Sequence, residues 1–199
     1  MPVKSAPPRD NGRHATHPHR SPNLTALPFA ERARAVEAHI ANHHRIPVIT
    51  RDIPDPLLGD LDGAEIHLDH LLEPHQRLFL LIHLFGHTVQ WNTDPTAFDR
   101  GALQTPPVPN DRLPAILDYE AEAAAFGLAL VHEIGIHDLD QWLSDYSACD
   151  RAYLEHFYRT AEKRPFESFW RDGTPIAPAR AIPPFTPRRR TTRTAGRVI

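Results

Sequence analysis

Apolar residues recur along the chain at two spacings, and together these spacings predict an α+β fold. Alternating or β-branched segments predict a strand within 46–53 and a hairpin over 57–68, with Asp62-Gly63 as its tight turn. Helical spacing, with apolar residues three and four positions apart, fills the segments 28–44, 74–91, 112–134 and 138–160. The order of these elements predicts a small antiparallel or mixed sheet, including the hairpin, packed on a pair of buried helices.

The two ends of the chain differ in composition from the middle. Residues 1–27 are rich in Pro, His, Arg and Asn and offer little to bury, so we predict that they are disordered. Residues 28–160 then form one domain, and residues 161–199 form a C-terminal strap followed by a Pro/Arg-rich tail. We expect no structure beyond about Asp172. The strap either packs on the domain or docks a protein partner through its aromatic residues Phe166, Phe169 and Trp170.

Charge and composition argue against nucleic-acid-binding, membrane and secreted proteins. Residues 171–199 contain seven Arg and one Asp, so they carry +6, and a total charge of −3 leaves the rest of the chain acidic. The triplet Arg188–Arg190 allows at most weak electrostatic contact with nucleic acid. No apolar run approaches a membrane span or a signal peptide. Cys149 is the single cysteine and is expected to be a buried structural thiol, which favours a cytoplasmic protein.

The chain has 14 histidines, and one pair of them stands out by its surroundings. His83 and His87 are four residues apart on an almost wholly apolar helix, so they share one helix face. This is the spacing of the zinc-binding motif H-E-x-x-H, although Leu84 stands where that motif has its general base. A metal on one ring nitrogen and a hydrogen bond on the other would satisfy each buried imidazole. The alternative is a pair of core histidines bonded to backbone carbonyls or to each other.

Two further histidine pairs carry weaker signals. His39 and His43 are also four residues apart, but they lie in polar company, which predicts a solvated helix face. His132 and His137 are five residues apart, so their rings should diverge, and they fit the C-terminal end of a helix.

The helix over 112–134 supplies a carboxylate for the first pair. Its periodicity places Glu120 near the middle of the apolar face. A carboxylate there is costly unless it meets a cation, and no Lys or Arg lies within one turn of it. A metal held by His83 and His87 would be that cation, and two His with one carboxylate is a zinc pattern. The alternative is a Glu120 that accepts a hydrogen bond from a nearby backbone amide.

Residues from about 30 to 135 resemble the ImmA/IrrE family of zinc metallopeptidases. The segment His83-Leu-Phe-Gly-His87 is similar to the family's H-E-x-G-H, and Glu120-Ala-Glu-Ala-Ala-Ala-Phe126 to its E-x-x-A-N/D-x-F-A. The helix before Ile46-Pro-Val48 and the hairpin after it occur in the same order. The resemblance implies a compact zincin-like domain with Zn²⁺ on His83, His87 and Glu120. It also implies a protein partner or peptide substrate, such as a transcriptional repressor of mobile elements or stress genes.

Two departures from the family pattern change the expected activity. Leu84 replaces the general base, and Ala124 replaces a polar residue that would support the ligands. Positioned acid–base catalysis is worth roughly 10²–10⁴-fold. We therefore expect a metal-binding regulatory protein with weak or no proteolytic activity. One alternative is an active peptidase with a substitute base near the hairpin (Glu65, His67 or His70), and another is a metal-free interaction module.

Overall fold

The computed structural model describes residues 28–54, 57–101, 105–190 and 196–198, and its fold is α+β, as predicted. The predicted disordered segment 1–27 lies outside the described residues. The helices are Phe29–Asn42 (α1), Pro74–Thr93 (α2), Ala97–Gly101 (α3), Leu113–Glu133 (α4) and Asp140–Thr160 (α5). The strands are Val48–Arg51 (β1), Gly59–Leu61 (β2), Ile66–Asp69 (β3) and Gly196–Val198 (β4). Two of these elements, α3 and β4, were not predicted, because both are too short to show a periodic pattern.

The sheet is mixed and contains the predicted hairpin. Its strand order is β1-β3-β2-β4, with β1 parallel to β3 and β2 antiparallel to it. The turn between β2 and β3 is closed by a hydrogen bond from the Asp62 amide to the Glu65 carbonyl. In the hairpin, Leu61 pairs with Ile66, and both side chains belong to the core.

Helix α2 runs through the centre of the molecule. Every residue from Leu78 to Trp91 is buried, which confirms the expectation of a helix enclosed on nearly all sides. The helix begins with a capping box, in which the Glu73 amide donates to the side chain of Gln76. Helices α1 and α4 and the sheet pack around α2, so the polar residues within it are removed from water.

Residues 161–190, here called the strap, hold a fixed path although most of them form no regular secondary structure. A short 3₁₀ turn over Phe166–Phe169 packs on α5, where the ring centroids of Phe166 and Tyr146 lie 5.3 Å apart. The buried Cys149 thiol donates to the Phe166 carbonyl, and burial raises the pKa of this thiol to about 12. The aromatic part of the strap therefore packs on the domain, and Cys149 is a structural thiol.

The strap continues as an ordered segment beyond Asp172, which differs from the expected unstructured tail. The Thr174 amide donates to Asp145 over 2.7 Å, and the Arg180 amide donates to the Ala125 carbonyl over 3.0 Å. The Arg190 amide donates to the Asp62 carbonyl over 2.7 Å. These partners are 29 to 128 residues away in the chain, and no local pattern reveals such contacts.

Asp62 anchors both the hairpin turn and the strap. Its fully buried carboxylate accepts from the amides of Ala64 and Glu65 at 2.8 and 2.9 Å, and from the Arg189 guanidinium at 2.7 Å. Burial alone would raise the pKa of Asp62, but the two amides and then Arg189 lower it below its ordinary value.

We expect Asp62→Ala to lower the free energy of unfolding by about 2 kcal/mol, because two part-buried amides lose their acceptor. Asp62→Asn is the matched control: its amide oxygen still accepts from both amides, so its cost should be less than half as large. Because the folded pKa is depressed, the carboxylate stabilises the fold above about pH 4, and this contribution is lost as the pH falls. Urea unfolding at pH 7 and pH 3 should show the Asp62→Ala effect shrinking at the lower pH.

Candidate metal centre

The centre begins with two histidines on α2. One helical turn separates His83 and His87, and it brings their Nε2 atoms to 2.9 Å from each other. The ring planes are nearly perpendicular, at 89°, with centroids 4.5 Å apart. Two nitrogens that face one point from different directions could both bind a single ion.

Two glycines allow α4 to approach α2 closely. A Cβ atom on Gly86 would lie 2.1 Å from the carbonyl oxygen of Ala123, and one on Gly127 would lie 2.5 Å from Cγ2 of Ile82. Neither position has room for a larger residue. The helices therefore cross at the short distance that carries Glu120 to the histidines.

At this crossing the three predicted residues come together. The Glu120 Oε2 atom is 3.1 Å from Nε2 of His87 and 3.5 Å from Nε2 of His83. Zinc–ligand bonds of 2.0–2.1 Å in a tetrahedron imply ligand atoms about 3.3 Å apart. The three observed separations bracket that value, so the cluster has the dimensions of three corners of a zinc coordination shell.

Gln90 sets the orientation of His87. Its amide NH₂ group donates to the carbonyl of Tyr119 at 2.8 Å and to the Glu122 carboxylate at 2.7 Å, which directs its oxygen toward His87. That oxygen lies 2.9 Å from Nδ1 of His87, so Nδ1 carries the proton. In the neutral ring Nε2 is then unprotonated, as a metal ligand requires. Gln90 was not among the predicted site residues, although its position three residues after His87 places it on the same helix face.

The charges of the three residues are coupled. Burial, followed by the charge of His87, lowers the pKa of His83 to about 3. Burial also disfavours the charged form of His87, but the Glu120 carboxylate raises its pKa above the ordinary value. Burial opposes the charge of Glu120, yet His87 lowers the pKa of this carboxyl. These directions favour an ion pair of Glu120 and His87 beside a neutral His83.

Aromatic rings and α5 close the space around the ligands. Phe79 stacks on His83 with centroids 5.4 Å apart, and Tyr119 stacks on His87 at 4.6 Å. Tyr146 of α5 covers Phe79 in turn. The side chains of His83, His87 and Glu120 are only 7–9% exposed. A cavity of about 330 Å³ lies elsewhere, between α4 and α5, and none of the three ligands lines it.

The side chain of Leu84 does not line this centre. Its side chain is fully buried and points to the sheet, where its Cδ1 atom lies 2.9 Å from the site of a Cβ atom on Gly59. The position of the family's general base is therefore filled by hydrocarbon in the core.

The substitute bases suggested by the sequence are not placed to serve this centre. Leu68 of β3 shares the core with Leu84, so the alternation of the strand directs Glu65 and His67 to the other face of the sheet. There the Glu65 carboxylate lies 3.2 Å from His67 and 3.4 Å from Arg189 of the strap. This arrangement does not place Glu65 or His67 beside His83, His87 and Glu120.

One further acid, Asp150 of α5, interacts electrostatically with the centre and was not among the predicted site residues. Burial, followed by the charge of Glu120, raises the pKa of Asp150 to about 8, and His87 acts on it in the opposite sense. No local pattern marks Asp150, because its proximity depends on how α5 packs across α4.

His70 is the remaining candidate base near the hairpin. It is half-exposed after β3 and lies beside Asp69.

The other two histidine pairs also lie beside carboxylates. The prediction of a solvated face for His39 and His43 holds in part: His43 is exposed, whereas the His39 side chain is 19% exposed and its Nε2 atom lies 2.8 Å from the Glu133 carboxylate. His132 lies 2.8 Å from Asp140, and the rings of His132 and His137 are 4.4 Å apart. The expected divergence of these two rings is wrong, because α4 ends before His137 and the chain folds back.

No protein-family model matches the chain, and neither a curated protein nor a solved structure matches it. The resemblance to the ImmA/IrrE family thus stays a prediction from the motifs. Within the part of the chain that the structure describes, every helix is too short or too polar to cross a membrane.

Proposed function

We propose that the chain is a zinc-binding, metallopeptidase-like protein in which His83, His87 and Glu120 hold the ion and which acts by binding a partner more than by proteolysis. The convergence of three ligand atoms within 3.5 Å of one another is the observation that carries this proposal. Two imidazole nitrogens and one carboxylate oxygen favour zinc over magnesium or calcium, which prefer all-oxygen shells.

Two features support a binding role. Leu84 offers no atom that accepts a proton, and the buried ligands leave little room for a peptide backbone to reach an ion between them. The resemblance to the ImmA/IrrE family suggests the kind of partner, a transcriptional repressor or another regulator. In this proposal the ion holds α2 and α4 together and so fixes the surface that the partner recognises.

The test is the metal content of the protein expressed with added zinc. We expect His87→Ala to contain about one equivalent less than the wild type, because the ion loses a central ligand. His75→Ala is the matched control, since His75 lies on the same helix outside the cluster. Chelation should also lower the melting temperature of the wild type more than that of His87→Ala. Equal metal contents in the wild type and His87→Ala would reject the centre, and no metal in either protein would favour a metal-free interaction module.

One observation favours active peptidase chemistry as a second candidate. The charge of Glu120 acts on Asp150, so a carboxyl group outside the ligand set lies near the centre. Because its pKa is raised to about 8, it is mostly protonated at pH 7 and would accept a proton as a base only at higher pH. Zinc-dependent cleavage of a candidate regulator, lost in both Glu120→Ala and Asp150→Asn, would establish this function. If the zinc-loaded wild type cleaves no candidate regulator, the peptidase function is rejected and the binding role is favoured.

A further inference from the structure

A second histidine cluster lies where the end of α1 meets the end of α4. His39 belongs to the last turn of α1, and His43 and His44 follow directly. Glu133 is the last residue of α4. One nitrogen from each histidine and one oxygen of Glu133 all lie within 4.8 Å of one another.

The contacts in this cluster converge on one atom. The Oε2 atom of Glu133 lies 2.8 Å from Nε2 of His39 and 2.9 Å from Nε2 of His44. The ring of His43 stacks on His39, with centroids 4.8 Å apart, and its edge meets His44 at 4.9 Å. Two imidazoles thus contact one carboxylate oxygen, and the third lies against both of their rings. Together the four side chains offer the ligand set of a four-coordinate site.

The fold holds His44 in this arrangement. Arg45 adopts a left-handed backbone conformation with φ of 60°, and the Ile46 amide then donates to the Ile40 carbonyl, which closes the end of α1 around His43 and His44. The His44 ring then lies between Phe85 of α2, at 4.7 Å, and Phe185 of the strap, at 6.0 Å. The His44 side chain is only 8% exposed, so much of the ordering needed for a ligand is already complete.

We propose that His39, His43, His44 and Glu133 bind a second divalent ion of the class that prefers imidazole, such as Zn²⁺, Co²⁺ or Ni²⁺. Three nitrogens and one oxygen complete a tetrahedral shell with no position left for a substrate, which is the pattern of a structural site. The ion would link α1 to α4. This inference does not depend on the buried centre or on any peptidase function.

The test uses the full chain in the His87→Ala background, so that the buried centre does not contribute. Co²⁺ is the probe, because tetrahedral coordination gives it intense visible absorption. We expect His87→Ala to bind Co²⁺ with such a spectrum, and His39→Ala or His44→Ala added to it to abolish that spectrum. The affinity for Co²⁺ should fall at least 100-fold, since loss of a residue that only supports a ligand already lowers metal affinity roughly 10–100-fold.

Two further variants keep the result specific. His156→Ala is the control, because His156 contacts Thr160 and Phe169 outside both clusters and should leave the spectrum unchanged. His137→Ala tests the neighbouring group of His132, His137 and Asp140. The proposal is overturned if the His39 and His44 variants keep the tetrahedral spectrum, if His137→Ala alone removes it, or if His87→Ala binds no Co²⁺ above the level of non-specific binding. Zn²⁺ should also raise the melting temperature of His87→Ala, but not that of His87→Ala combined with His44→Ala.

Discussion

Leu84→Glu is expected to lower the free energy of unfolding by about 4 kcal/mol and not to create an efficient peptidase. The substitution restores the sequence H-E-x-G-H of the ImmA/IrrE family. Leu84, however, is fully buried against the sheet, and its Cδ1 atom lies 2.9 Å from the site of a Cβ atom on Gly59. A carboxylate at that position loses its hydration and meets hydrocarbon and backbone in place of a cation.

Leu84→Met is the matched control, because it conserves volume and should cost less than about 1.5 kcal/mol. Denaturant unfolding of both variants gives the comparison, and metal content shows whether the neighbouring His83 still binds. A Leu84→Glu protein that keeps the wild-type stability and cleaves a peptide would contradict this prediction and would show that the side chain reaches the centre.

Gly86→Ala should be nearly as damaging, at about 3 kcal/mol, and should also remove one equivalent of metal. The added methyl group would lie 2.1 Å from the carbonyl oxygen of Ala123, a backbone atom that moves only with α4 itself. Separation of the two helices carries Glu120 away from His87. Calorimetry and metal analysis on the same preparation would measure both effects.

Gly127→Ala provides the graded comparison at the same helix crossing. Its nearest neighbour would be Cγ2 of Ile82, 2.5 Å away, which is a side-chain atom that can rotate aside. The loss of stability should therefore be smaller than for Gly86→Ala, and more of the metal should remain. A larger effect for Gly127→Ala would show that the Ala123 contact does not set the helix separation.

The parts of the structure that could be predicted from sequence are those with a local repeat. The 3.6-residue period placed the four long helices to within a few residues, and it put Glu120 on the buried face of α4, where the structure also has it. The alternating segment with Asp62-Gly63 likewise predicted the hairpin. In each case the side chains that define the pattern lie within a few residues of one another.

The parts that could not be predicted depend on contacts between distant segments. Asp150 approaches Glu120 only because α5 packs on α4, and His39 meets Glu133 across 94 residues of chain. The strap beyond Asp172 has few apolar residues and no period, yet its amides find acceptors on α4, on α5 and at Asp62. Composition favours disorder for such a segment, and only the folded surface supplies the partners that order it.

The pairing of β4 with β2 affects how an extended peptide could bind. An edge strand with free backbone groups recruits other strands, and many domains bind peptides in this way. Here residues 196–198 pair antiparallel with residues 59–61 of the same chain. An incoming peptide at this edge competes with a tethered strand, whose effective concentration is on the order of millimolar. A peptide present at micromolar concentration would therefore pair with β2 only when β4 is displaced or removed.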